Sequence, residues 1–222
     1  MDILFDDDIR RAAPAYEVLL VEADVTNGLT PDALWNEIEQ ACADIRARYP
    51  MDQVRHRPAI DATRAVYKAC GKDPNRYRPS AEALCRRAVK GLDLYRSLAV
   101  IDLINLMSLI TGHSIGGFDT DRIAGTTLTL GVGAEGEPYE AIGRGELNIA
   151  GLPVWRDAVG GIGTPTSDNE RTKLSEATRH LTMTVNLYGP GEHTAGAVEE
   201  LVLRLLRDYA SATDIRTSYH KP

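Results

Sequence analysis

The chain has 222 residues and a formal net charge of −7 at pH 7, with 43% hydrophobic and 26% charged residues. These values are ordinary for a globular protein, and they exclude a mainly disordered chain and a collagen-like one. The acidic balance gives no reason to expect general attraction to nucleic acid or to an anionic membrane. At this length we expect a single domain over residues 1–222.

The first half of the chain reads as one strand followed by helices. Residues 15–25 are rich in β-forming side chains and predict a strand. Apolar residues at helical spacing, with proline or glycine at the boundaries, predict four helices after it: 31–48, 58–70, 80–90 and 98–111.

The pattern changes after Gly112. Short β-like stretches separated by glycine, proline and asparagine predict five strands: 126–132, 138–142, 147–150, 154–159 and 180–188. A glycine-rich loop is expected at 160–168, a last helix at 195–210 and a polar tail after it. The order predicts an α+β fold, in which N-terminal helices pack on a mainly antiparallel sheet and one helix follows.

Two features bear on the compartment. The longest apolar run, 98–110, contains Asp102 and Asn105 and is too short and too polar to span a bilayer, and residues 1–8 lack a signal-peptide pattern. Three widely spaced cysteines form no CxxC pair: Cys42, Cys70 and Cys85. We therefore expect a reduced cytoplasmic protein whose cysteines pack in the core, without a metal or cofactor.

Positive charge is concentrated in one part of the sequence. Residues 46–96 carry thirteen basic and five acidic residues, a net +8, whereas the remainder carries −15. Such a block is typical either of solvated helix faces or of a nucleic-acid-binding surface. The candidate RNA-binding residues in the block are Arg76, Arg78, Ser80, Arg86 and Arg87.

Polar residues on the apolar helix 98–111 are the first candidates for a site. Asp102, Asn105 and Ser108 recur at intervals of three, so they form either a buried hydrogen-bond network or one wall of a ligand pocket. Two glycine-rich segments follow, 112–119 and 160–172, where the backbone can approach a ligand closely. Their polar residues are either turn residues or site residues.

Taken together, these segments resemble the B3/B4 domain of the phenylalanyl-tRNA synthetase β subunit in its free-standing form. The residues that carry the resemblance, in the order found in the family, are NRYRPSAEAL at 75–84, SLAVIDLIN at 97–105, GHSIGGFD at 112–119, GGIG at 160–163 and PTSDNERT at 165–172. The resemblance covers about residues 55–190, and the strand and helix before this core and the helix after it would be additions.

The resemblance implies an editing module, which hydrolyses mischarged tRNA as the second sieve of amino-acid selection. In the synthetase this domain removes tyrosine from a tRNA meant for phenylalanine. Two family positions differ here, because Gly116 stands where the family has a histidine and Thr166 where it has the glutamate that reads the tyrosine hydroxyl. Tyrosine specificity therefore does not carry over, and 222 residues leave no room for a complete aminoacyl-tRNA ligase.

The leading expectation is a deacylase that acts in trans on aminoacyl-tRNA, with water positioned between the apolar helix and the glycine-rich loops. Loop N–H groups near 161–164 would bind the carbonyl oxygen. The expected catalytic residues are Asn105, His113, Asp119 and Asp168. The expected substrate-binding residues are Asp102, Gly116, Gly117, Gly161, Thr164, Thr166, Ser167 and Arg171.

Two alternatives stay open at this point: a non-catalytic module that binds tRNA or an amino acid, and an unrelated small-molecule protein on the same fold. The expected partner is aminoacyl-tRNA or its acceptor end, with neither DNA nor a membrane as a partner. The sequence leaves the amino acid, the tRNA and the oligomeric state open.

Overall fold

The structure is a computed structural model that describes all 222 residues. Its helices are α1 (Asp7–Ala12), α2 (Asp32–Arg48), α3 (Pro58–Ala69), α4 (Ser80–Val89), α5 (Ala99–Thr111) and α6 (Ala195–Ala210). Its strands are β1 (Asp2–Phe5), β2 (Glu17–Asp24), β3 (Ile115–Asp119), β4 (Thr127–Val132), β5 (Glu140–Ala141), β6 (Gly145–Glu146), β7 (Pro153–Arg156), β8 (Gly161–Gly163), β9 (His180–Leu187) and β10 (Thr213–His220). The α+β class predicted from the sequence is confirmed.

The strands form two four-stranded sheets and one small hairpin. One sheet has the order β10-β2-β9-β3 and is antiparallel throughout, and the other has the order β1-β4-β7-β8. In the second sheet only the β1–β4 pair is parallel. The hairpin pairs β5 with β6.

Strand β2 packs against hydrophobic clusters on both of its faces. Leu19 and Val21 lie in the main core with helices α2, α5 and α6, whereas Val18 lies in a second cluster. Alternate side chains of a strand point to opposite faces, so β2 is apolar on both sides because both sides are covered. The second cluster contains residues of both sheets, among them Phe118 and Trp155.

Strand β9 carries polar residues toward the second cluster, and they are satisfied there. Asn186 is 3% exposed, and its amide oxygen accepts hydrogen bonds from the Tyr16 hydroxyl at 2.7 Å and the Trp155 indole N–H at 3.1 Å. Buried amides are tolerated when they are hydrogen-bonded in this way. The network joins the two sheets, and the Asn186 amide nitrogen also donates to the Ser114 carbonyl, just before β3, at 3.0 Å.

Most long elements were predicted, and the differences lie in the glycine-rich and terminal segments. The strand at 180–188, the helix at 195–210 and the four predicted N-terminal helices are confirmed, with no boundary displaced by more than one residue. Of the predicted strand 138–142 only the two-residue strand β5 forms, and the predicted strand 147–150 is wrong, because the hairpin partner β6 ends at Glu146. The expected glycine-rich loop 160–168 instead contains β8 and a turn.

The segment 112–119 forms strand β3, and the expected polar tail forms the edge strand β10. Strand β1 and helix α1 are further elements that the sequence patterns did not indicate. Pro31 and Pro79 precede α2 and α4, and neither helix start has a side-chain cap. None of the helices has the length and apolar character needed to span a membrane. The cysteines are unpaired: Cys85 is buried, and Cys42 and Cys70 are partly buried.

Candidate functional site: a pocket that opens onto a basic groove

One face of α5 forms the wall of a pocket of about 310 Å³. Ile101, Ile104, Asn105 and Ser108 line it, and their spacing of three and four residues places them along a single helix face. Elements β3 and α4, the segment after β5 and the turn after β8 form the other walls. Helix α5 contributes both isoleucines and polar side chains to the pocket, and the turn contributes polar groups, a mixture that is usual for a small-ligand site.

Hydroxyl groups of the turn itself and of two tyrosines outside it hold the turn after β8 in place. The Thr164 hydroxyl accepts hydrogen bonds from the backbone N–H of Thr166 at 3.2 Å and of Ser167 at 3.1 Å. The Tyr139 hydroxyl donates to the Ser167 carbonyl at 2.7 Å, and the hydroxyls of Tyr67 and Thr166 lie 2.9 Å apart. These contacts hold the turn where Thr164, Thr166 and Ser167 reach the pocket.

Asp168 is the ionisable carboxylic acid of this pocket. Its Oδ2 accepts a hydrogen bond from the Gly117 N–H at 3.1 Å. Burial raises the pKa of Asp168 to about 7, and the Gly117 N–H opposes that rise only in part. A carboxyl group with a pKa near neutrality can exchange a proton at physiological pH, which is the property required of a general base.

Glycine is needed at two positions beside Asp168. A Cβ on Gly117 would lie 2.5 Å from the Ile104 Cδ1, so the absence of a side chain lets β3 approach α5. A Cβ on Gly163 would lie 2.6 Å from the Phe118 ring and 3.0 Å from the Asp168 Oδ1. The two glycines therefore bring the backbone close enough to hold the Asp168 carboxylate.

A basic groove adjoins the pocket and shares part of its wall, including Ser80, Asn105 and Thr166. Five cationic residues and no acidic residue line the groove: Arg78, Arg86, Arg87, Lys90 and Arg144. Arg144 lines both the groove and the pocket, so positive charge extends from one into the other. The arrangement favours a polyanionic ligand whose reactive end enters the pocket.

Glu82 supports the groove from beneath. It is 1% exposed, and its Oε2 accepts a hydrogen bond from the buried Arg64 guanidinium at 2.8 Å. Its Oε1 lies 3.5 Å from Arg78 and 3.7 Å from Arg86. Glu82 is thus the centre of a buried network with three arginines.

The structure brings many of the predicted site residues together. In the pocket are Asn105, Gly117, Thr164, Thr166, Ser167 and Asp168. In the groove are Arg78, Ser80, Arg86 and Arg87. Arg76 does not line the groove, and its guanidinium lies over the Tyr77 ring.

Asp102 and Asp119 have structural partners outside the pocket. Asp102 is 1% exposed and accepts hydrogen bonds from the Thr30 hydroxyl at 2.5 Å and the Ser97 N–H at 2.8 Å, so it ties the start of α5 to the chain before α2. Asp119 ends β3 and accepts a hydrogen bond from the Thr178 hydroxyl at 2.8 Å. Neither carboxylate is free to face a substrate in the pocket.

His113 and Arg171 also lie away from the pocket lining. His113 is 2% exposed, and burial lowers its pKa to about 4. It lines a different cavity, beside Gly191 and His193. Arg171 makes a bidentate contact with Asp157, at 2.7 and 2.8 Å.

Gly116 and Gly161 are packing positions, since a Cβ would meet the Phe118 ring at one and the Tyr139 ring at the other. The expected loop N–H donors near 161–164 belong to a paired strand and a closed turn. Strand β8 pairs with β7, and the Thr164 N–H donates to the Ser167 carbonyl at 3.1 Å. The Asn105 side chain, which has no hydrogen-bond partner within the protein, is a better candidate to contact a ligand.

Several lining residues were not singled out from the sequence. They are Leu84, Lys90, Ile101, Ile104, Ile115, Ile142, Arg144, Lys173 and Leu174. Two of them follow from helical spacing alone: Ile101 and Ile104 share a face with Asn105. No sequence pattern indicated Arg144 as a site residue, because its position beside the pocket depends on how the β5–β6 hairpin folds back.

A second cavity, of about 380 Å³, lies between α2 and the segment before α6. Its buried Arg57 is already engaged by the carbonyls of Leu109 and Ile110 and by Glu192. Because its buried cation is neutralised and hydrogen-bonded, this cavity offers less chemistry to a ligand than the pocket at Asp168.

The chain belongs to the B3/4 domain family, whose match covers residues 62–202 and so more than half of the chain. This confirms the resemblance that the sequence segments indicated. Among solved structures, it is similar to an N-terminal fragment of the phenylalanyl-tRNA synthetase beta subunit from Pyrococcus horikoshii, with a TM-score of 0.49 and 11% identity. That alignment covers 100% of this chain and 54% of the other. No curated protein matches the chain.

Proposed function

We propose that the protein hydrolyses the ester bond of aminoacyl-tRNA, and so acts as a deacylase on mischarged tRNA in trans. The observation that carries the proposal is the continuity between the pocket at Asp168 and a groove with five cations and no acid. A substrate with an ester at the end of a phosphate backbone matches both parts. Membership of the B3/4 domain family supports a tRNA-related role.

In this proposal Asp168 is the general base. Its carboxylate accepts a proton from a water molecule as the water oxygen attacks the ester carbonyl carbon. The Asn105 amide donates a hydrogen bond to the carbonyl oxygen as negative charge develops there. The bond to the ribose oxygen then breaks, and that oxygen takes the proton, so the products are a free amino acid and uncharged tRNA.

The aminoacyl ester is already activated, so this mechanism needs no covalent nucleophile. Positioning of the water and of the carbonyl supplies much of the rate enhancement. The apolar wall formed by Ile101 and Ile104 would receive the amino-acid side chain. Arg144, at the junction of pocket and groove, would contact the terminal phosphate.

A panel of aminoacyl-tRNAs tests the proposal. Each is incubated with the protein, and ester loss is compared with a protein-free control and with Asp168→Asn, which keeps the shape of the side chain but cannot serve as the base. We expect rapid loss for a narrow set of amino acids and at least 100-fold slower loss with the variant. If the wild type leaves every ester intact but still binds the tRNA, the non-catalytic binding module is the correct function.

The pH dependence gives a second readout of the same residue. Because the pKa of Asp168 is raised to about 7, kcat/KM should rise as the pH approaches 7 and level off above it, after the spontaneous hydrolysis is subtracted. The residual rate of Asp168→Asn should lack this inflection. An unchanged inflection in the variant would assign the base to another group.

A further inference from the structure

The segment 91–97 places an exposed aromatic ring beside the basic groove. Tyr95 is 79% exposed, although tyrosine usually buries much of its ring. The Arg87 guanidinium lies 4.6 Å from the centre of the ring. Arg87 lines the groove, so Tyr95 stands at the groove's edge.

The segment that carries Tyr95 is anchored at several points. The Gly91 N–H donates to the Ala88 carbonyl at 3.0 Å, and the Arg96 guanidinium donates to the Asp32 carboxylate at 2.6 Å. Between them, Leu94 packs against the main core. The backbone on both sides of Tyr95 is therefore tied to α4, to the main core and to the start of α2.

Arg87 is also fixed in place. Its Nε donates to the Asp93 carbonyl at 2.6 Å, which holds the guanidinium beside the ring. Leu92, which is 49% exposed, lines the groove close by. An aromatic ring, a planar cation and an apolar side chain thus lie at the outer end of a surface that otherwise carries positive charge.

We propose that Tyr95 and Arg87 form a stacking platform for an unpaired base of single-stranded RNA whose 3′ end lies in the groove. Aromatic rings and arginine planes are the surfaces on which proteins stack unpaired bases. A paired helix would offer only phosphates to the groove, whereas a single-stranded end also has base faces that can meet the ring. This inference rests on the proposed function, because it takes the end of tRNA as the occupant of the groove.

Two matched RNA hairpins test the platform without an ester. Both carry a single-stranded 3′ tail of the same length, but in one the tail nucleotides are abasic, so the phosphate charge is equal and the base faces are absent. We expect the wild type to bind the intact tail about tenfold more tightly than the abasic tail. Tyr95→Ala should lose most of that difference, and Tyr95→Phe should retain it.

Tyr219→Ala is a suitable control, because Tyr219 is an exposed tyrosine of β10 that lines neither the pocket nor the groove. It should leave the preference for the intact tail unchanged. If the wild type binds both tails equally, or if Tyr95→Ala keeps the full difference, the platform is wrong.

The uncharged hairpins separate this proposal from the catalytic one. A wild type that prefers the intact tail but hydrolyses no ester would support the platform and overturn the deacylase. A wild type that hydrolyses esters but binds both tails equally would do the reverse. Binding of neither hairpin would overturn the role of the groove in both proposals.

Discussion

At the scale of single residues, burial decides which titratable groups are available for chemistry. Asp168 lies at a pocket with one fixed hydrogen-bond donor, so its proton affinity rises into the neutral range. Histidine is a common catalytic residue, but His113 is buried, its Nδ1 has no hydrogen-bond partner, and burial lowers its pKa to about 4. The sequence shows that both residues are present, but only the tertiary contacts distinguish them.

His113 gives a prediction for stability. Between about pH 6.5 and pH 4 the unfolded chain protonates this histidine and the folded protein does not, so the free energy of unfolding falls as the pH is lowered. From pH 7 to pH 5 the wild type should lose about 2 kcal/mol more than His113→Gln. Urea unfolding at the two pH values measures the difference.

Asp168 acts in the opposite direction, because a carboxyl group with a raised pKa destabilises the fold as the pH rises. The wild type and His113→Gln both contain Asp168, so its contribution cancels when their losses of stability are compared. Equal losses of stability in wild type and His113→Gln would contradict the buried, neutral histidine.

At the scale of elements, the buried carboxylate of Glu82 joins α4 to α3 through Arg64. Glu82→Gln would leave the buried Arg64 guanidinium without its counter-charge. We expect the free energy of unfolding to fall by about 3–5 kcal/mol, which is typical when one partner of a buried ion pair is removed. Thermal or urea unfolding would show the loss.

The pair between Arg204 and Glu37 is the matched control, since both side chains are partly exposed. Glu37→Gln should cost below about 1 kcal/mol, because solvent screens such a pair. If the two substitutions lower the free energy of unfolding equally, the buried Glu82 network stabilises the fold no more than an exposed ion pair does.

The elements also show where prediction from the sequence stops. Helices α2 to α6 have apolar residues at helical spacing and proline or glycine at their boundaries, so their positions can be predicted from the sequence. Strand β3 has the sequence IGGFD, which lacks a strong β pattern, and it forms because β9 pairs with it and α5 packs against Gly117. Strand β10 is polar and half-exposed, and only its pairing with β2 identifies it.

The site divides in the same way. Asn105 and Asp168 could be found from polar residues next to apolar or glycine-rich runs, and they do meet in one pocket. Asp102 and Asp119 have the same local pattern, but they are used to join elements. Distinguishing the two roles requires knowledge of the partner residues, which lie far away in the sequence.

At the scale of the whole molecule, the net charge is −7, yet the groove is lined by cationic residues and by no acidic one. If the five cations of the groove contact phosphates, the affinity for tRNA should fall steeply with salt, by up to about 100-fold between 50 and 200 mM. Lys90→Ala should weaken binding and lower the slope of log affinity against log salt by about 0.7. Filter binding over a salt series measures both.

Lys68→Ala is the control for that series, because Lys68 is an exposed lysine of α3 outside the groove. It should leave the slope unchanged. A slope near zero for the wild type, or equal effects of the two lysine substitutions, would show that the groove does not bind the phosphates of tRNA.

A crystal structure of the protein with a non-hydrolysable aminoacyl-adenosine, in which an amide replaces the ester, would test the proposed roles of Asn105 and Asp168 by locating the aminoacyl group. We expect the aminoacyl group to lie against Ile101 and Ile104, with its carbonyl within hydrogen-bonding distance of Asn105 and beside the Asp168 carboxylate. An analogue bound in the cavity at Arg57, or one in the pocket with its carbonyl turned away from Asp168, would contradict these roles.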